Sequence, residues 1–276
     1  MNKYLLLALF TILFLQCTSE VEPEQTSIYG FESSQDAREH IGNYALVNEL
    51  TNGSLILSSE YYGLGSSEQH TFFAKYVEDR LEQGNRIDGG NYHINEIELK
   101  WNGEIYHPTG ITPQLSYPFV QNLFGANQSI LLKRNESNII NETFYFPEQL
   151  EILNLSLNNL LPNTNAIGIS RSSFQLEWNE DTLNMNGILL YVNWRGQTIG
   201  NGGNQTFTSQ MERAIVIPDT GFSHIPSSLF DGIPKDALVT LLVSRANVKI
   251  IESSSQGETY KLIANQLHYL NIGLLD

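Results

Sequence analysis

Short stretches in which apolar and polar residues alternate recur along most of this chain. In the clearest of them, Ile97, Leu99 and Trp101 are separated by single charged residues. That two-residue period predicts a strand with one buried face and one solvated face. The stretch "ILLYVNW" at 188–194 is apolar at nearly every position, which predicts a strand buried on both faces near the middle of a sheet.

Turn residues between these stretches predict hairpins, while helical signals stay short. Asn-Gly pairs at 52–53 and 102–103 each stand between apolar runs, and Asn-Gly accepts the positive φ angles of a type I′ turn. Segments near residues 34, 118 and 227 have room for one or two helical turns each, too few for an independent helix. The pattern therefore predicts an all-β protein.

The second half of the chain has the clearer strand rhythm. Trp178 lies in an early strand, Tyr191 and Trp194 lie in the next, and "GETYKLIAN" at 257–265 comes near the end. This arrangement resembles a fibronectin type III or immunoglobulin-like module, which implies two packed antiparallel sheets. The stretch "ALVTLLVSR" followed by "ETYKLIA" predicts either the final hairpin or an internal one, and "HYLNIGLL" at 268–275 predicts a further, separate strand.

Length and composition bound the domain organisation. The 276 residues suffice for one large domain or two ordinary modules, and an apolar content of 41% suffices for a core. We predict a signal peptide at 1–16, a tether at 17–30, an N-terminal β-rich module at 31–146 and a C-terminal sandwich at 147–276. The expected fold is thus two β-sandwich-like modules.

The charge balance excludes one class of partner. Thirty acidic residues against 15 Lys and Arg give a formal net charge of -15. A chain of that sign repels phosphate backbones, so we expect no nucleic-acid partner.

Cys17 is the only cysteine and follows an apolar run at 4–15. A run of 12 residues is too short to cross a bilayer as a helix and indicates a signal peptide. A cysteine directly after such a run resembles the lipid-acceptor residue of bacterial lipoproteins. The resemblance implies that Cys17 carries diacylglycerol and that this lipid holds the chain on a membrane.

Three glutamates at 20, 22 and 24 follow the cysteine. This acidic segment resembles the export signal of Bacteroidota surface lipoproteins, which implies a lipid-anchored protein of the cell envelope. We expect it on the outer membrane, at the surface or the periplasmic face. Ordinary cleavage after Ser19, with no lipid, is the alternative.

Two strings invite a chemical interpretation. Asp219-Thr220-Gly221 matches the aspartic-protease triplet, but that chemistry needs two carboxylates and the chain has one triplet. Pro, Asp and Gly within four residues instead predict a β-turn. The oxygen-rich segment 179–187 suits a hairpin loop better than a calcium loop, because the ligand alternation breaks.

Within that loop, Asp181-Thr182-Leu183 resembles the O-glycosylation triplet of Bacteroidota, which implies that Thr182 is a candidate for modification. The six histidines show no metal-ligand spacing, so neither a metal nor a cofactor is expected. The three tryptophans stand within apolar patterns and are predicted core residues, while Tyr61 and Tyr62 are better candidates for a binding surface.

These observations predict a lipid-anchored envelope protein that binds or scaffolds without a catalytic site. Envelope glycans or envelope proteins are the expected partners. The alternatives are an envelope hydrolase of the glycosidase type, whose paired carboxylates assemble only in the fold, and a purely structural spacer.

Overall fold

The computed structural model describes residues 51–62, 69–77, 90–101, 103, 106–108, 122–154, 160–162, 164–199, 211–253 and 257–276. The predicted signal peptide, Cys17, the tether and the short helical segments near 34 and 118 lie outside these residues. Within them the chain is all-β, as predicted, and its helical residues form two 3₁₀ turns, Arg171–Ser173 and Ser227–Phe230. The second of these turns falls where a short helical segment was predicted near residue 227. The same residues contain no helix with the length and apolar character that a membrane crossing needs.

The described residues form fifteen strands in chain order. They are β1 (Gly53–Tyr62), β2 (Gln69–Val77), β3 (Asn91–Ile94), β4 (Ile97–Trp101), β5 (Tyr106–Pro108), β6 (Ala126–Arg134), β7 (Ser137–Phe146), β8 (Ile152–Asn154), β9 (Ile167–Ile169), β10 (Gln175–Trp178), β11 (Ile188–Trp194), β12 (Met211–Ile217), β13 (Phe222–His224), β14 (Leu238–Glu252) and β15 (Thr259–Leu274).

Twelve of these strands join in one large sheet, and three form a small one. The large sheet has the order β12-β11-β14-β15-β1-β2-β5-β4-β3-β6-β7, and β9 pairs with β15 beside this path. The small sheet has the order β13-β10-β8. As the apolar pattern predicted, β11 is an interior strand whose backbone pairs on both sides, with β12 and with β14, although it lies only one strand from the β12 edge of the sheet.

A long hairpin of β14 and β15 runs through the middle of the large sheet. The two strands pair antiparallel from Leu238 opposite Gly273 to Glu252 opposite Thr259. The predicted stretches "ETYKLIA" and "HYLNIGLL" are therefore one continuous strand, and the hairpin is the last one among the described residues. On its other side β15 pairs in parallel with β1, which joins the beginning of the described chain to its end.

Apolar side chains collect in two clusters. The first takes most of its residues from the strands before residue 147, with Ile251, Tyr260, Leu262 and Ala264 from the long hairpin. The second takes its residues from 150 to 274 and includes the other end of the hairpin, such as Leu241 and Ile272. Two β-sandwich-like modules fit this arrangement. The boundary at residue 147 and the immunoglobulin-like character of the second module stay predictions.

The two Asn-Gly hairpin predictions have different outcomes. Strands β4 and β5 pair antiparallel with Trp101 opposite Tyr106, so a hairpin does surround Gly103. At the other pair the turn prediction is wrong. Gly53 is the first residue of β1 and pairs with Tyr260, because β15 offers it a backbone partner that no local pattern reveals.

Two tight hairpins occur where the residue types gave no clear signal. Asn95 and Glu96 link β3 to β4, and Asn135 and Glu136 link β6 to β7. Asn135 and Glu136 have φ angles of 48° and 66°, as a type I′ turn requires at both central positions. Glutamate rarely adopts this left-handed conformation, which explains why the turn was not predicted.

The prediction that the tryptophans are core residues is confirmed. Trp178 and Trp194 are buried in the second cluster, and Trp101 packs half-buried against the first. Ile97 and Leu99 also contact the first cluster, as the alternation in β4 predicted.

Candidate functional site

A buried ion pair of Asp219 and Arg245 holds together the chain segments around residues 148, 179 and 219. Asp219 follows β12, Arg245 lies in the middle of β14, and both side chains are almost fully buried. Arg245 donates from Nε to Asp219 Oδ2 and from Nη2 to Asp219 Oδ1, each at 2.8 Å. This two-pronged geometry is the one in which a guanidinium matches a carboxylate best.

The pair also saturates the polar groups around it. Arg245 Nη1 donates to the carbonyl oxygen of Glu148 at 3.0 Å, and Nη2 donates to that of Asn179. Trp178 Nε1 donates to Asp219 Oδ1 at 2.7 Å, and Asn184 Nδ2 donates to Oδ2 at 2.8 Å. Asp219 therefore acts as a structural acceptor. The chain bends at Thr220 and Gly221, where Gly221 has a φ angle of 78°, and the β-turn interpretation of the triplet stays a prediction.

Asp181 has a similar structural role in the oxygen-rich loop. Its carboxylate is buried and accepts hydrogen bonds from the Tyr145 hydroxyl at 2.9 Å, the Glu148 N–H at 2.8 Å and the Leu183 N–H at 3.0 Å. Burial, followed by this hydrogen bond to Asp181, raises the pKa of Tyr145 far above its usual value. The phenol thus stays protonated and keeps donating.

Thr182 is exposed next to this buried aspartate. Its assignment as an O-glycosylation site stays a prediction, and the fold adds one constraint. Because the Asp181 carboxylate is turned inward, an enzyme that reads that side chain together with Thr182 has access to it only before the chain folds. Among the described residues, no group of three or more His, Cys, Asp or Glu side chains is arranged to hold a metal ion.

The described chain has a groove of about 550 Å³ beside β9 and β10. Its apolar lining comes from Leu160, Leu161, Ile167, Ile169, Phe174 and Leu275. Its polar lining comes from Asn154, Ser170, Ser173 and Gln175. The volume falls in the range of small-molecule sites, and mostly apolar walls with a few polar groups are typical of them.

Two charged residues of opposite sign, Arg171 and Asp276, lie close together at one rim of the groove. The Ser170 hydroxyl donates to Asp276 Oδ2 at 2.6 Å and the Arg171 N–H donates to Oδ1 at 2.8 Å, and these bonds lower the pKa of Asp276. The Arg171 guanidinium donates to the Ile233 carbonyl oxygen at 2.7 Å. Within the described residues the groove lining itself carries only uncharged side chains.

The solvated side of the small sheet meets this groove. We call it the Phe222 face and define it by Asn154, Gln175, Glu177, Phe222 and His224. Directly opposite residues of neighbouring strands point to the same side, and the register pairs Gln175 with His224 and Glu177 with both Phe222 and Asn154. Asn154 and Gln175 belong to the face and to the groove lining alike, so the two surfaces are continuous.

Tyr61, a predicted surface residue, is half-buried and packs on His268 with ring centroids 4.4 Å apart. The side chain of Tyr62 lies outside the description. The binding-surface hypothesis therefore moves from this tyrosine pair to the groove and the Phe222 face. Asn154, Ser173 and Phe222 were not singled out in the sequence, because small polar residues and one phenylalanine in short strands give no distinctive pattern.

No family model matches this chain, and no curated protein or solved structure is significantly similar to it. The class of the protein is therefore defined by its own structure: it is an all-β protein with a groove next to a small three-stranded sheet.

Proposed function

We propose that this chain is a non-catalytic binding protein of the bacterial cell envelope, held on the membrane by lipid at Cys17. The observation that carries the binding role is the groove, which combines aliphatic walls with uncharged hydrogen-bonding groups. Such a lining suits a ligand with both apolar and hydroxyl or amide groups. The envelope offers two classes of this kind, glycans and segments of other proteins.

The buried carboxylates support binding rather than hydrolysis. A glycosidase of the usual type needs two carboxylates facing one another across a cleft. Asp181 and Asp219 are both buried and are saturated by protein donors. Neither of them lines the groove.

The location rests on the residues around Cys17. The apolar run, the single thiol and the following glutamates support a lipid-anchored chain at the outer membrane, resembling surface lipoproteins of Bacteroidota. Two or three acyl chains at ~0.8 kcal/mol per buried methylene give a stable anchor, where one gives a marginal one.

Filling the groove tests the binding role. Ser173 lies in the groove lining, whereas Ser172 is an exposed neighbour in the same 3₁₀ turn that does not line it. We expect Ser173→Trp to weaken binding of the envelope ligand at least about tenfold, or ~1.4 kcal/mol. Ser172→Trp is the matched control and should bind as the wild type does.

The measurement is biolayer interferometry of the detergent-solubilised chain against two fractions of the envelope, its polysaccharides and its outer-membrane proteins. The binding proposal is wrong if the wild type binds neither fraction, or if both tryptophan variants bind equally well. Circular dichroism of the variants confirms that each one is folded.

A further inference from the structure

The Phe222 face carries two aromatic rings at a right angle. Phe222 and His224 have ring centroids 5.1 Å apart and an interplanar angle of 85°. Phe222 is 42% exposed and His224 is exposed as well. Two perpendicular rings at the surface offer a flat apolar floor with a wall beside it.

Polar side chains stand next to these rings without internal partners. Within the part of the chain that the structure describes, the side chains of Asn154, Gln175, Glu177 and His224 make no hydrogen bond. The amides offer donors and acceptors, and the carboxylate offers acceptors. Because these groups alternate with the rings across paired strands, one ligand can contact both kinds at once.

We propose that the Phe222 face and the groove together form a binding site for an uncharged oligosaccharide. This inference rests on the proposed binding function and specifies its ligand class. A pyranose ring has an apolar C–H face, which fits an aromatic floor, and hydroxyl groups at its edge, which fit amide and carboxylate partners. Asn154 and Gln175 line both surfaces, so further sugar units continue from the face into the groove.

The negative charge of the protein favours a neutral glycan over an acidic one. Glu177 lies beside Phe222, and the chain as a whole carries -15. Both negative charges repel acidic sugars, whereas the binding of a neutral glycan is not weakened by this electrostatic repulsion. A protein segment lacks the repeating hydroxyl-rich edge that the face is equipped to contact, and it becomes one arm of the test.

The test is isothermal titration calorimetry of the detergent-solubilised chain with hexasaccharides. The neutral probes are cellohexaose, maltohexaose, mannohexaose and chitohexaose, and the acidic probe is hexagalacturonate. We expect at least one neutral probe to bind and the acidic one to bind at least about tenfold more weakly. Phe222→Ala should weaken the neutral probe by about tenfold or more.

Met185→Ala is the matched control, because Met185 is an apolar side chain with 90% exposure that lies off the face. It should leave the affinity unchanged. The inference is overturned if none of the four neutral probes binds, or if Phe222→Ala binds them as the wild type does. If the glycan probes fail in this way but the chain still binds the outer-membrane protein fraction, and Ser173→Trp weakens that binding at least about tenfold, the proposed binding function stands and only the glycan ligand is wrong.

Discussion

Replacing Arg245 with methionine is expected to lower the free energy of unfolding by about 3–5 kcal/mol. Methionine fills a similar volume but leaves Asp219 as a buried, unpaired carboxylate. The carbonyl oxygens of Glu148 and Asn179 lose their guanidinium donor as well. The measurement is urea unfolding followed by tryptophan fluorescence, since Trp178 donates to the same carboxylate.

Lys249→Met is the matched control on the same strand. Lys249 pairs with Glu142 at 2.7 Å, but 44% and 34% of the two side chains are exposed. Exposed pairs contribute at most about 1 kcal/mol, so this variant should stay close to the wild type. If the two variants lose similar amounts of unfolding free energy, the buried Arg245–Asp219 pair contributes no more to stability than an exposed pair, which would contradict its structural role.

Replacing Cys17 with alanine is expected to abolish membrane attachment completely. Cys17 is the only cysteine in the chain, so under the proposed anchoring its replacement removes the acyl chains whose methylenes would hold the protein in the bilayer. The measurement is incorporation of labelled palmitate in native cells, followed by separation of membrane and soluble fractions. The wild type should be labelled and sediment with membranes, and Cys17→Ala should be unlabelled.

Ser19→Ala is the control for this experiment. It keeps the thiol and should be labelled like the wild type. An unlabelled wild-type chain that begins at Glu20 would instead show ordinary cleavage after Ser19, and the anchor would have to be abandoned. Protease shaving of intact cells then separates the surface from the periplasmic face, because only a surface chain releases fragments before the outer membrane is broken.

Strand positions could be predicted where one short segment carries the whole signal. The alternation at β4 and the continuous apolar run at β11 are local consequences of which faces are buried, and both are confirmed. The pairing of β1 with β15 joins residues 53–62 to 260–269. No local pattern encodes such a contact, which explains why Gly53 was assigned to a turn.

A buried polar residue, Gln266, accounts for the division of the last strand. Gln266 interrupts the apolar pattern and divided the last strand in two, yet its side chain is buried. It accepts from the Leu150 N–H and donates to the Glu148 carbonyl oxygen at 2.8 Å. A polar residue that satisfies its hydrogen bonds inside the fold looks like a loop residue in the sequence.

The candidate site was even less predictable than the strands. Asp219 was recognised as a turn residue, but its partner Arg245 lies 26 residues away and was visible only as the end of a predicted strand. The groove and the Phe222 face bring together residues from 154 to 275 through pairing between strands. Their chemistry depends on side-chain direction, which follows from register rather than from composition.

The central claim, that the groove is where a ligand binds, is tested most directly by methyl NMR of the isoleucine- and leucine-labelled chain. The chain is titrated with the envelope polysaccharide and outer-membrane protein fractions in turn. We predict that the methyl signals of Leu160, Ile169 and Leu275, which line the groove, shift with at least one fraction. Those of Ile94 and Ile130, buried in the first cluster, should stay in place. Shifts confined to the first cluster, or no shifts with either fraction, would contradict the claim.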